Sequence, residues 1–361
     1  MQIAPRKWLL FAAPVDVVQA WRPDDVVPAL ARLARRTTAE RLHAVGFVSY
    51  EAGRAFGLRV HDPADGCPLL WFGLYPEETV RSAVALPEGD GYRLGPVRPR
   101  VPRTEFAAAF DRIKAHIGEG DTYQVNFTFQ ADADIHGDPV SLFADLVQAQ
   151  GGRHGVFVDT GDLAICSASP ELFFDRRDGV LRARPMKGTA RREPRPDADR
   201  AARDRLAASA KDRAENVMVV DMVRNDLGRI AETGTVRVEE LFAVERYPTV
   251  WQMTSLVSAR SAAPLEAVFA ALHPSASITG APKVRTMEII AALEQGPRGV
   301  YTGAVGHLAP DGSTRFNVAI RTAVVDRHAG RVSFGMGSGI VWDSQADAEY
   351  DECLLKGSIL G

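Results

Sequence analysis

Residues 303–341 read GAVGHLAPDGSTRFNVAIRTAVVDRHAGRVSFGMGSGIV. Three apolar, β-prone runs are separated by Pro310-Asp311-Gly312 and His328-Ala329-Gly330. Short turns of this chemistry join antiparallel neighbours, so the spacing predicts strands near 303–308, 315–325 and 331–341. Working outward, strand-like runs recur at 8–12, 45–50, 69–75, 123–130, 155–159, 163–167, 171–176 and 235–238. Only a few helical stretches interrupt them: 23–35, 104–117 after the N-cap candidate Thr104, a polar stretch 197–226, one opened by Pro282, and one from Ser344. Runs of strands broken by a few long helices predict an α+β fold rather than strict βαβ winding. A Gly/Pro-rich stretch at 81–102 reads as a linker, which divides the chain into an N-terminal region, 1–102, and a main domain, 103–361.

The composition is that of an ordinary globular protein: 361 residues, 46% hydrophobic and 25% charged. A net charge of −3, from 43 basic and 46 acidic residues, gives no electrostatic reason to expect nucleic acid or an anionic membrane as partner. Cys67, Cys166 and Cys353 are far apart and odd in number, which reads as reduced thiols and predicts a cytoplasmic protein. The apolar run 8–13 is too short for a signal peptide, and nowhere do 18 apolar residues run together. A phosphate loop, a zinc-protease HExxH and a GxSxG elbow are all missing, and no cysteine has a catalytic context.

Four features stand out. On a helix, Glu215 lies within about 60° of Met218, Val219 and Met222, so it falls on the apolar face. Glu352, flanked by Ala348, Leu355 and Ile359, reads the same way. Burying a lone carboxylate costs several kcal/mol, so each is neutralised by a proton, by a basic side chain or by an oxygen-liking ion such as Mg²⁺. Third, Lys187 lies in the arginine-rich run Arg182-Ala183-Arg184-Pro185-Met186-Lys187-Gly188-Thr189-Ala190-Arg191-Arg192. It is either a solvated loop lysine or an amine made nucleophilic by the positive charge around it. Fourth, Gly335, Gly337 and Gly339 leave one strand face bare, for close sheet packing or for a ligand. Arg321, a charge inside an apolar run, is either a carboxylate clamp or an exposed arginine.

Taken in order, several segments resemble the chorismate-utilising enzymes, and within them the aminodeoxychorismate synthases. They are Gly120-Asp121-Thr122-Tyr123-Gln124-Val125-Asn126, Ser169-Pro170-Glu171, Pro185-Met186-Lys187-Gly188-Thr189, the block 215–229, Ser277-Ile278-Thr279-Gly280-Ala281-Pro282-Lys283, Gly337-Ser338-Gly339 and Tyr350-Asp351-Glu352. The resemblance runs from about 103 to 356 and is weak before that. It implies an anthranilate-synthase-like α/β/β/α sandwich of two mainly antiparallel sheets with outer helices, holding chorismate and Mg²⁺ in a cleft between the sheets. It implies that Glu215 and Glu352 hold the metal, and that Gly188, Thr189, Tyr301, Arg321, Gly337, Ser338 and Gly339 hold chorismate.

The resemblance also implies a reaction. Aminodeoxychorismate synthases carry a lysine at position 187, where anthranilate synthases carry alanine. Lys187 would attack ring C2 while Mg²⁺ and a general acid help the C4 hydroxyl leave, and ammonia would then add at C4. Members that add water carry a lysine where this chain has Gln124, and a neutral glutamine suits ammonia. Many members carry a histidine where this chain has Gln252, which leaves Lys283, Glu171 or a metal-bound water as the acid. The implied activity is amination of chorismate to 4-amino-4-deoxychorismate, on the way to p-aminobenzoate and folate. Ammonia would come from a separate glutamine amidotransferase. The alternatives are anthranilate synthase component I and a non-catalytic chorismate-binding subunit.

Overall fold

The computed structural model describes residues 1–4, 7–87, 89–151 and 153–357. Its helices are α1 (Pro23–Ala39), α2 (Arg103–Gly118), α3 (Pro139–Gln150), α4 (Pro196–Ala208), α5 (Ala210–Gly228), α6 (Leu265–Leu272), α7 (Lys283–Leu293) and α8 (Ala346–Gly357). The polar stretch expected as one helix is two. Ser209 is extended, and its side chain accepts from the Asp212 N–H, capping α5 as it ends α4.

Two antiparallel sheets lie face to face. The first runs Val156–Asp159, Leu163–Ser167, Thr322–Asp326, Arg331–Ile340, Gln124–Gly137 and Gly280–Ala281. The second runs Met186–Arg191, Val250–Arg260, Val180–Arg184, Leu172–Arg177, Thr314–Val318, Ala304–Leu308, Leu42–Val48, Leu70–Pro76 and Asp16–Ala20, with Arg237–Arg246 also paired to Val250–Arg260.

Strand alternation sorts the core into three layers. In Leu42–Val48, Val45 and Phe47 join Val156, Val158 and Ile165 of the facing sheet. Ala44 and Val48 point the other way, into a layer with Leu30 and Leu33 of α1, Val219 and Val223 of α5 and Phe269 of α6. The first sheet's outer face packs on Phe106 and Phe110 of α2, Phe143 of α3 and Tyr350 and Cys353 of α8. This is the helix–sheet–sheet–helix sandwich that the family resemblance implies, each layer covering what its neighbour must bury.

The segment 315–325, expected as one strand, is broken at Ala319–Arg321. Thr314–Val318 belongs to the second sheet and Thr322–Asp326 to the first, with Arg321 at a φ of 51° where the chain crosses over. The chain crosses in the opposite direction between Leu163–Ser167 and Leu172–Arg177. The two crossings are hydrogen-bonded to each other: Ala168 N donates to Arg321 O (3.0 Å), and Val318 N to Glu171 O (3.1 Å).

Leu42–Val48, from the N-terminal region, pairs residue for residue with Ala304–Leu308. The stretch read as a linker holds Tyr92–Leu94 and Arg98–Pro99, both paired to Gln124–Gly137. Among the described residues, no helix is long and apolar enough to cross a membrane.

Candidate active site

Lys187 lies in a β-bulge. Met186 pairs with Thr254 and Thr189 with Gln252, so Lys187 and Gly188 together oppose Met253 alone. An extra residue of this kind re-aims a side chain. Gly188 takes it up at a φ of 93°, where a Cβ would press on Asp212. The bulge turns Lys187 across the cleft until its Nζ lies against Gly339 of the first sheet, within 3.0 Å of where a Cβ would stand. The Gln124 side-chain amide lies beside the same spot, its Nε2 3.7 Å from that Cβ position. Gln124 is buried, with no hydrogen-bond partner for its Oε1.

The bare strand face therefore serves two purposes. Gly339 makes room for the lysine amine, whereas at Gly335 the Tyr301 ring occupies the space a Cβ would need. A Cβ on Gly337 would meet the neighbouring strand at Phe127 and Thr128. Ser338 alternates away from this face and is fully buried, so only its backbone is available to a ligand in the cleft.

The arginines of the Lys187 run face elsewhere. Arg184 pairs with Glu240 and Glu245 (both 2.8 Å), Arg192 with Asp199 (2.7 Å), and Arg182 lies 3.8 Å from Asp175. The charged neighbours of Lys187 are carboxylates instead. Glu215 Oε2 lies 3.5 Å from its Nζ, and both Glu171 and Glu352 feel its charge. The expected ring of positive charge is thus absent, because strand alternation and the bulge separate residues that are adjacent in sequence.

Glu215 sits at the edge of the packed face of α5, which Asn216, Val219, Val220 and Val223 form. Glu352 corrects its sequence reading more fully. The packed residues of α8 are Tyr350, Cys353 and Gly357, while Ala348 and Leu355 are exposed with Glu352, and Ile359 lies outside the described residues. Glu352 thus occupies the open side of the helix, 2.5 Å from Lys356, whose Nζ also donates to Gly337 O (2.8 Å). The Glu352 side chain is half exposed; the protein packed against the other half works against its charge, but Lys356, with Lys187 and Arg321 behind it, holds its carboxyl below the usual value.

Glu171 and Arg321 occupy the two crossings between sheets. Burial pushes the Glu171 carboxyl up to about 7, against the pull of Ser277, Lys187 and the Met186 backbone. One of its oxygens has no hydrogen-bond partner. Arg321 is held by the Lys356 carbonyl (3.1 Å) beside Tyr301 and Glu352, and burial lowers its pKa. Lys283 is committed elsewhere. Its ammonium pairs with Asp226 (2.6 Å) and the Leu272 carbonyl (3.2 Å), tying α7 to α5. Burial lowers its pKa, and Asp226 works against that.

Glu215, 3.5 Å from the Lys187 ammonium, and Glu352, which feels the charge of that ammonium while pairing with Lys356, come from different helices; Mg²⁺ takes one or two carboxylates of this kind, with waters completing the shell. A second grouping of potential ligands, His116, Glu119 and Asp121, closes the end of α2. There the Asp121 carboxylate is already bound by Arg285 and His116, both at 2.8 Å.

The site was legible in part. Sequence reading missed Asn216, whose Nδ2 donates to Lys187 O (3.3 Å). A buried asparagine directly after Glu215 was the available signal.

Paired antiparallel sheets between helix layers, with a lysine, carboxylates and a glycine strand brought together where the sheets face, define an α+β sandwich class. Anthranilate synthase component I from Streptococcus pneumoniae TIGR4 superposes on the whole of this chain, over 93% of its own length, with a TM-score of 0.86 at 24% identity. The chain belongs to the chorismate binding enzyme family, whose sequence pattern matches residues 83–360. It is 42% identical to aminodeoxychorismate synthase component 1 of Klebsiella aerogenes over 261 residues, 72% of this chain and 57% of that one. It is 38% identical to an anthranilate synthase component 1 of Haloarcula marismortui over 262 residues, 72% of this chain and 53% of that one. The chain thus spans about half the length of these curated relatives.

Proposed function

We propose that this chain aminates chorismate with ammonia to give 4-amino-4-deoxychorismate. The observation that carries this reading is the lysine bulge, which sets a primary amine against a glycine that leaves it room, beside carboxylates that can exchange its proton. Lys187 passes a proton to Glu171, whose raised pKa suits exchange near neutrality. The free amine forms a bond to ring C2, and the C4–oxygen bond breaks, the hydroxyl leaving as water with the proton held on Glu171. Ammonia then bonds to C4, and the C2–nitrogen bond breaks, releasing Lys187. The net change is chorismate plus ammonia to product plus water. Dividing one displacement into two in this way is the advantage of a covalent relay.

Arg321 and the backbone N–H groups of the 188–189 turn would bind the substrate carboxylates. Neutral Gln124 faces the amine without competing for its proton. Glu215 and Glu352 would hold Mg²⁺, which supplies positive charge against a substrate carboxylate. Ammonia would reach the site from a separate glutamine amidotransferase, in keeping with the "component 1" in the names of relatives.

The test is to incubate purified protein with chorismate, Mg²⁺ and an ammonium salt, with and without an added aminodeoxychorismate lyase. p-Aminobenzoate formed only when the lyase is present is the expected result. Fluorescent anthranilate formed without lyase, the reaction in the name of the Haloarcula relative, would overturn the reading, as would chorismate binding without turnover at every ammonium concentration.

A further inference from the structure

The bulge that aims Lys187 has no regular strand pairing of its own to hold it. Between Met186 and Thr189 the ladder to Val250–Arg260 slips by one residue, and its backbone groups are bound by side chains instead. Gln252 Nε2 donates to Gly188 O (2.8 Å), and Gln252 Oε1 accepts from Thr189 Oγ1 (2.9 Å). One residue earlier, Asn216 Nδ2 donates to Lys187 O (3.3 Å), while Asn216 Oδ1 accepts from Ser255 Oγ (2.6 Å). Ser255 N in turn donates to Pro185 O (3.2 Å). Two amide side chains, one from the neighbouring strand and one from α5, therefore grip the bulge from both sides.

Gln252 is the member whose chemistry fits the task most closely. A carboxamide presents one donor and one acceptor side by side, matching a carbonyl and a hydroxyl on successive residues. It does not titrate, so its grip is the same at every pH. We infer that Gln252 is a positioning residue that fixes the Gly188–Thr189 turn and thereby sets Lys187 Nζ against Gly339. With the Gly188 carbonyl and the Thr189 hydroxyl occupied by Gln252, the turn offers an anionic substrate its backbone N–H groups. The inference rests on the amine role proposed above for Lys187, but it concerns where the amine stands, which can be read without turnover.

Two measurements separate the ideas. Labelling of Lys187 by trinitrobenzenesulfonate, located by peptide mass spectrometry, reports the setting of the amine in the resting protein. Amination of chorismate with ammonium reports its use. Gln252→Leu, which removes both bonds, is expected to change the Lys187 labelling rate at least about fivefold. It should lower kcat about 100-fold with KM within about threefold, since misplacing a reacting group by about 1 Å has that order of effect. Gln252→Glu, which keeps the acceptor for Thr189 but loses the donor to Gly188 O, should fall in between. Unchanged labelling with Gln252→Leu overturns the inference, as does a KM that rises in proportion to the loss of kcat/KM, which would mark Gln252 as a substrate contact. If Gln252→Leu does not fold, Gln252→Glu, which removes the bond to Gly188 O, is read the same way. If labelling changes but the wild-type protein makes no aminated product, the clamp stands and the proposed reaction fails.

Discussion

Lys187 Nζ stands where a side chain at position 339 would have to stand, within 3.0 Å of the Cβ that Gly339 lacks. The two residues come from different sheets, so this one vacancy records how the sheets are set against each other across the cleft.

Gly339→Ala should therefore leave the fold intact and damage the chemistry. The obstructed atom is the end of a flexible side chain, which can swing aside, so Tm should change by no more than about 2 °C while kcat falls at least about 100-fold. Gly335→Ala, four residues back on the same strand, should instead lower Tm well beyond that. There the new methyl meets the buried Tyr301 ring, and overpacking of this kind costs about 1–3 kcal/mol. Thermal melts and steady-state kinetics on the two variants make the comparison. Equal effects on Tm would contradict it.

Lys187→Ala should abolish amination, or slow it by at least about 1,000-fold, while chorismate still binds within about fivefold of wild type by calorimetry. Turnover at the wild-type rate would remove the covalent role.

Glu171 fixes a pH window. Its folded pKa is raised, from an ordinary 4.5 to about 7. Between those values the folded protein holds a proton that the unfolded chain has released. Its contribution is complete below about 4.5 and is lost as pH rises through about 7, at up to ~1.4 kcal/mol per pH unit. Buried Glu51 is raised to about 7 by the same cause and acts in the same direction. Glu171→Gln should flatten the fall in stability between pH 5 and 7 without abolishing it, as measured by denaturant melts. It should also remove the rise of kcat/KM through about pH 7 expected of a proton acceptor. A wild-type stability that climbs across this window would contradict the assignment.

Glu215→Gln and Glu352→Gln should each weaken Mg²⁺ binding at least about tenfold in titration calorimetry, with secondary structure unchanged by circular dichroism. Glu349→Gln is the control, because Glu349 accepts from Ser344 Oγ (2.6 Å) within its own helix region. Loss of Mg²⁺ binding in that variant alone would move the metal.

The α+β class and its antiparallel pairs were legible because their signals are local, the turn chemistry at 310–312 and 328–330 needing no distant partner, whereas the sandwich came only from the family resemblance. The bare glycine strand was legible too, although which glycine meets which side chain was not. Readings failed where two elements had to be placed against each other. The arginines near Lys187 are neighbours only along the chain. Glu352 was misplaced because small and apolar residues occur on both sides of α8, leaving no dominant face in the sequence. The breaks at Ala168–Glu171 and Ala319–Arg321 arise from mutual hydrogen bonds between segments about 150 residues apart, which no local pattern encodes.

The family pattern begins at residue 83, yet Ala304–Leu308 has its outer hydrogen bonds filled by Leu42–Val48. The Glu51 carboxylate receives the N–H groups of Arg298 (2.7 Å) and Gly299 (3.0 Å), three and two residues before Tyr301. A fragment cut to the shared pattern would open a raw sheet margin, a template for aggregation, and would release the loop that carries an aromatic wall of the cleft. The segment ahead of the family pattern is thus a mechanical buttress, and kinship along the chain does not mark where the folding unit starts.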